Sequence, residues 1–231
     1  MNVILIPGLW LDASAWDEVV DALSSRGHHV VAMSLPGQGD GNGSVALGDQ
    51  LAAVTSTIDS REDPWIVVGH SAGCKLGWLA VDRRVERVAK FISVGGFPGG
   101  DGEPYFPDIE PRDGWVTFPG WATFEGPDSA DLDEVMRERL QSMFHPVAAG
   151  VTSEVMNFSD PRRFDVPVTV ICPEFSPAEA REWMAAGYLP DVVKVSHLDF
   201  VDLDSGHWPM VSCPTRFIDA LTECVESEAS S

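Results

Sequence analysis

The sequence predicts an α/β domain, a mostly parallel sheet flanked by helices. Three observations carry that prediction. Short apolar runs alternate with amphipathic stretches along most of the chain. The runs are continuously apolar, as strands buried on both faces are. And 231 residues suit one large α/β domain with a single sizeable core.

The elements follow in order. Val3 to Ile6 is a short apolar strand. Ser14 is placed to cap a helix carrying Trp16, Val19, Val20 and Leu23 on one face, ending near Gly27. His29 to Ser34 reads as a second strand, and the loop LPGQGDGNG follows it. Leu47 to Ser60 is a second amphipathic helix, with Leu51, Val54 and Ile58 on one side. Trp65 to Val68 is a third strand, Ala72 to Val81 a third helix and Lys90 to Val94 a fourth strand. The alternation then stops. Residues 97–165 are rich in Gly, Pro and aromatics, contain one clear helix at Leu132 to Phe144, and are too long for a simple loop. They are expected to form a cap inserted within one domain spanning 1–231. Strands return at Val166 to Cys172 and Leu198 to Leu203, with helices at Pro177 to Ala186 and Pro214 to Glu226; the tail VESEASS is expected to fray.

Composition excludes several functions. The formal net charge of −21, from 36 acidic and 15 basic residues, repels phosphate backbones and anionic lipid heads, so neither nucleic acid nor membrane is an expected partner. The opening apolar run, Val3 to Pro7, is too short for a membrane span and lacks the basic start of a signal peptide. Cys74, Cys172, Cys213 and Cys224 lie far apart, with neither metal-binding nor disulfide-framework spacing. A cytoplasmic protein with reduced thiols, no cofactor and no metal is expected. The expected partner is a small-molecule substrate, with a homodimer left open.

The stretch WIVVGHSAG, residues 65–73, places Gly69-His70-Ser71-Ala72-Gly73 between an apolar strand and a helix. G-x-S-x-G in that context is the signature of a sharp strand-to-helix turn that lifts the serine hydroxyl clear of the sheet. The turn needs glycines because side chains on either side would collide. It also leaves the backbone N–H of Ala72 at a helix N-terminus, free to face a developing oxyanion.

Here the chain resembles the α/β-hydrolase superfamily, over nearly its whole length. VILIPGLWLDASAWDEVVDALSSRGHHVVAMSLPGQGDG resembles that superfamily's first strand, oxyanion loop, first helix, second strand and PGxG loop. VVGHSAG resembles its nucleophile elbow, and VDLDSGHWPMVSCPTRFIDAL its terminal strand, histidine loop and last helix. Small cytoplasmic esterases look most similar, the hydroxynitrile-lyase and plant methylesterase group more distantly. The resemblance implies Ser71 as nucleophile and His207, in DSGHWP, as its base, since an imidazole must take the hydroxyl proton. It implies an acid after the strand VPVTVIC, but the position that usually holds aspartate there is Ser176, and Glu174 is the only carboxylate in that turn. Glu174 is the candidate; Asp202, Asp204 or no acid at all remain open. Pro7-Gly8 stands where the superfamily usually has His-Gly, so Leu9 and Ala72 are the expected oxyanion donors. Gly8, Trp10, His70, Trp115, Trp121 and Trp208 are the candidate pocket residues.

A serine hydrolase acting on a carboxylic ester or related acyl bond of a small, largely apolar substrate is the leading expectation. A hydroxynitrile lyase would need a lysine beside the histidine loop, and Lys75, Lys90 and Lys194 all lie elsewhere in the sequence. A hydrolase scaffold reused for ligand binding is the third reading, suggested by the altered acid turn and the proline before Gly8.

Overall fold

The computed structural model describes residues 1–227; the expected fraying of the tail falls largely beyond them. The first half runs β1 (Asn2–Ile6), a 3₁₀ turn (Ala13–Trp16), α1 (Asp17–Ser25), β2 (His29–Ala32), α2 (Leu47–Asp59), β3 (Trp65–His70), α3 (Ala72–Arg83) and β4 (Val88–Val94). The insertion then contributes β5 (Trp115–Val116), a 3₁₀ turn (Trp121–Phe124), α4 (Glu134–Ser142), β6 (Val147–Ala148) and α5 (Ala149–Ser153). β7 (Val168–Cys172), α6 (Pro177–Ala185), β8 (Leu198–Asp202), α7 (Pro209–Ser212) and α8 (Pro214–Glu226) complete the chain.

One six-stranded sheet has the order β2-β1-β3-β4-β7-β8, every neighbouring pair parallel. Every residue of β1, β3 and β7 is buried, which is why these strands read as unbroken apolar runs. Side chains alternate between two cores. Ile4, Ile6, Val67, Phe91 and Val170 pack with Val54 and Ile58 of α2 and Leu76 of α3. Val3, Leu5, Val68, Ile92 and Ile171 pack with Val19 and Leu23 of α1 and Phe217 and Leu221 of α8. The chain order reverses between β1 and β3, so the loops leaving those two strands diverge around a crevice at the strands' C-terminal ends. That crevice positions the site.

The structure corrects one sequence expectation in the first turn. Asp12, not Ser14, caps it: Ser14 lies inside the turn, and its N–H, at 2.9 Å, and its hydroxyl both donate to the Asp12 carboxylate. The two-residue strands β5 and β6, paired antiparallel, and the short α5 and α7 are too brief to leave a periodic signal in the sequence. The end of the insertion is tied back to α3. Buried Asp82 accepts from the N–H groups of Ser159 at 3.0 Å and Asp160 at 2.8 Å, and pairs with buried Arg163 at 3.3 Å. No helix among the described residues is long and apolar enough to cross a membrane, and the four cysteines form no disulfide.

Candidate active site

Ser71 stands between the last residue of β3 and the first of α3, with φ 53° and ψ −124°. A non-glycine residue in that region costs of order 1–3 kcal/mol and persists only where its surroundings enforce it. They do so here. The Ser71 N–H donates to the Val94 carbonyl at 2.9 Å. The backbones of the elbow and of β1 also approach too closely for side chains. A Cβ on Gly73 would lie 2.6 Å from the Pro7 oxygen, and one on Gly69 would lie 2.7 Å from the Gly73 carbonyl carbon. The two glycines therefore permit the turn, and the turn presents the Ser71 hydroxyl at the head of α3.

β7 and β8 end beside each other, and their loops stay joined. The Leu203 and Ser205 N–H groups donate to the Cys172 and Pro173 carbonyls, both at 3.0 Å. This brings Glu174 and His207 together over the tip of β4. His207 Nδ1 lies 2.7 Å from Glu174 Oε1, and His207 Nε2 lies 2.9 Å from Ser71 Oγ. With Nδ1–H donating to the carboxylate, Nε2 is left to accept from the serine hydroxyl. Burial works against a charged imidazole, but the hydrogen bond and negative charge of Glu174, with Asp128 adding to them, outweigh it and hold His207 above the ordinary imidazole value. Burial likewise opposes the Glu174 carboxylate, and the hydrogen bond and charge of His207 overcome it, holding the acid below the ordinary glutamate value. The structure thus brings Ser71, His207 and Glu174 into one relay. Asp202 and Asp204 are exposed and make no contact with the His207 ring. Ser176, at the position where the resemblance counted an aspartate, caps α6 in a reciprocal capping box with Glu179.

The histidine loop is also held by groups that no sequence motif marks. The His207 N–H donates to the Asp128 carbonyl at 2.8 Å, and the Gly206 N–H to the Asp131 carboxylate at 2.6 Å. Both acceptors belong to the insertion, more than seventy residues away, and nothing in their local sequence marks them.

His70 lies behind the relay. Its Nε2–H donates to the His207 carbonyl at 2.7 Å, and its buried Nδ1 has no partner. Burial, and then the positive charge available to His207, push His70 down from 6.5 to about 3. An unfolded chain would bind a proton there below pH 6.5, whereas the folded one refuses it until about pH 3. Stability from this group is present above 6.5 and falls by about 1.4 kcal/mol per pH unit below it. His70→Gln keeps the N–H donor and removes the titration. Its urea midpoints at pH 7 and pH 4 should show a pH-dependent loss smaller than wild type by about 3 kcal/mol; equal losses in the two proteins would contradict this.

Gly8 approaches the serine closely: a Cβ there would lie 2.9 Å from His70 Nδ1 and 3.0 Å from Ser71 Cβ. Trp10 follows at φ 68°. Its indole meets the edges of Phe118 at 5.5 Å and of Phe124 and Phe144 at 6.0 Å. Phe124 lies 6.5 Å from the His207 ring at 22°. Trp208 lies 4.9 Å from the same ring and 5.5 Å from Trp121. Trp10, Trp121 and Trp208 therefore belong to one aromatic cluster against the relay. Trp115 stands apart, turned by the β5–β6 ladder toward Gly43.

The profile of the Alpha/beta hydrolase family matches residues 3–220. The chain belongs to the alpha/beta hydrolase family. Comparison with curated protein sequences gives no match. Among solved structures of this fold, the chain is similar to an extracellular alpha/beta-hydrolase from a Paenibacillus species, described as sharing structural and functional homology with tobacco salicylic acid binding protein 2. The two superpose with a TM-score of 0.79 at 18% identity, over 99% of this chain and 100% of that one. A pyrethroid hydrolase from Sphingobium faniae JZ-2 gives 0.70 at 21% identity, over 99% and 98%. A methylesterase from Arabidopsis gives 0.71 at 17% identity, over 97% and 98%. Glu174, the carboxylate that meets His207, lies two residues before the position at which the resemblance counted an aspartate.

Proposed function

We propose that the protein is a serine hydrolase that cleaves a carboxylic ester of a small, largely apolar substrate through an acyl-enzyme, with the insertion serving as a cap. The observation that carries this reading is the unbroken chain from Glu174 through His207 to a Ser71 held in a strained elbow. Ser71 Oγ attacks the ester carbonyl while His207 Nε2 takes its proton. The carbonyl electron pair moves onto oxygen, where the N–H groups of Ala72 and Leu9 would receive it; each such donor contributes about 3 kcal/mol. Collapse of the intermediate expels the alcohol, which takes the proton from His207. Water, activated by the same imidazole, then releases the acid and restores Ser71.

The aromatic cluster of Trp10, Phe124, Trp121 and Trp208 supports an apolar acyl or alcohol group. No observation favours the lyase reading. Lys75 is bonded to the Tyr105 carbonyl, Lys90 to that of Cys224 and Lys194 to Asp191, so no lysine ammonium reaches the relay. The unpaired cysteines support the cytoplasmic assignment, which stays part of the proposal.

The test is a substrate panel with a pH profile. Neutral p-nitrophenyl and methyl esters should be hydrolysed, and esters with charged acyl groups should be poorer substrates. Protonation of His207 silences the base, and its value is raised in the folded protein. The acid limb of kcat/KM should therefore lie above the ordinary imidazole value of about 6.5. No hydrolysis of any neutral ester, with the folded protein in hand, would contradict the proposal.

A further inference from the structure

We infer that Gln38 is a positioning residue that sets the Gly8–Leu9 peptide for oxyanion binding, an inference that rests on the esterase reading above. Gln38 is buried, 4% exposed, in the PGQGD loop after β2. Its Nε2 amide donates to the Gly8 carbonyl at 2.8 Å and also to the Leu11 carbonyl. The Gly8 oxygen additionally accepts from the Leu11 N–H at 3.3 Å. The orientation of the Gly8 carbonyl is thus fixed from a side chain thirty residues away.

A trans peptide is planar, with its C=O and N–H pointing in opposite directions. Fixing the Gly8 carbonyl toward Gln38 therefore fixes the Leu9 N–H away from Gln38. Gly8 itself lies against Ser71, at the close approach already described, so the peptide held by Gln38 borders the serine. The amide also polarises the carbonyl it binds, which strengthens the N–H across the same peptide as a donor. An unsatisfied buried amide here would be costly, so Gln38 has one arrangement rather than several.

The loop bearing Gln38 is itself clamped by the insertion. Gln38 forms an antiparallel bridge with Val147. The Ala148 N–H donates to the Gly37 carbonyl at 2.8 Å, and the Gly39 N–H to the Pro146 carbonyl at 3.3 Å. The seating of β6 is therefore transmitted to the oxyanion peptide through one side chain.

The test compares wild type with Gln38→Met, which keeps length and apolar bulk but removes the donor. First, wild-type turnover of a p-nitrophenyl ester and inhibition by phenylboronic acid are measured, with Ser71→Ala as control. The boronic acid forms a tetrahedral adduct on a nucleophilic serine and so reports the oxyanion geometry. If wild type shows neither, the esterase reading fails and the inference with it. If it shows both, the inference stands alone on Gln38. Gln38→Met should lower kcat about 10- to 100-fold, weaken phenylboronic acid by the same factor, and leave KM within about twofold. A kcat within about twofold of wild type, or a fall in kcat with unchanged boronic acid affinity, overturns it. Should Gln38→Met fail to fold by circular dichroism, Gln38→Asn decides by the same criteria, since its shorter amide cannot span both carbonyls.

Discussion

Ser71→Ala should lower kcat for a short p-nitrophenyl ester by about 10⁶-fold. The size of the effect follows from the relay acting as a unit. Once Oγ is gone, His207 has no hydroxyl to deprotonate, and the polarised imidazole does nothing productive for acyl transfer. The residue left behind still occupies the elbow. Alanine meets the same backbone constraints at φ 53° as serine does, so the fold should be retained and the loss should be chemical. Substrate binding should survive, because the aromatic cluster and the proposed oxyanion donors are untouched. A residual rate of about 10³- to 10⁴-fold over water is the expectation for such a remnant. Steady-state kinetics together with a thermal melt check this. A variant that melts like wild type and turns over within tenfold of it would remove Ser71 from the mechanism.

Glu174→Gln should cost about 10⁴-fold in kcat. The carboxylate accepts from His207 Nδ1–H at 2.7 Å. A glutamine can offer its N–H₂ to that nitrogen instead, which moves the imidazole proton to Nε2. An Nε2–H facing Ser71 Oγ cannot take the hydroxyl proton. The pH profile separates this account from a simple loss of structure. In wild type, Glu174 is what raises His207 against the opposing effect of burial. With the negative charge gone, burial prevails and the imidazole falls below its ordinary value. The acid limb of the residual activity should therefore move from above pH 6.5 to below it, measured as kcat/KM across pH 4 to 9. A limb that stays in place while kcat falls would mean that another group, Asp128 foremost, supplies the charge.

The parts of this site that the sequence made legible are those encoded locally. Ser71 announces itself because the elbow needs two glycines within five residues. His207 does so because a histidine after the last strand has a fixed place in the chain order of the fold. Glu174 was reachable only by elimination, since Ser176 occupies the position counted for the acid and serves as a helix cap instead. Gln38, Asp128 and Asp131 left no signal. Each acts through hydrogen bonds to backbone groups remote in sequence, and such contacts carry neither periodicity nor motif. The sheet strands were readable because burial on both faces makes them continuously apolar. The β5–β6 ribbon was not, because two residues cannot show a period. The aromatics of residues 97–165 were visible as composition. Which of them meets the relay depends on the path of the insertion, and that path put Phe124 against His207 and Trp115 elsewhere.

Everything rests on Ser71 being the atom that bonds to the acyl group. Mixing the protein with a slowly deacylating p-nitrophenyl ester, quenching in acid and mapping peptides by mass spectrometry tests that most directly. One acyl increment per chain is expected, on the peptide containing Ser71, absent from Ser71→Ala and accumulating in Glu174→Gln more slowly than in wild type. Ester turnover with no increment at Ser71, or the same increment in the Ser71→Ala protein, would contradict it.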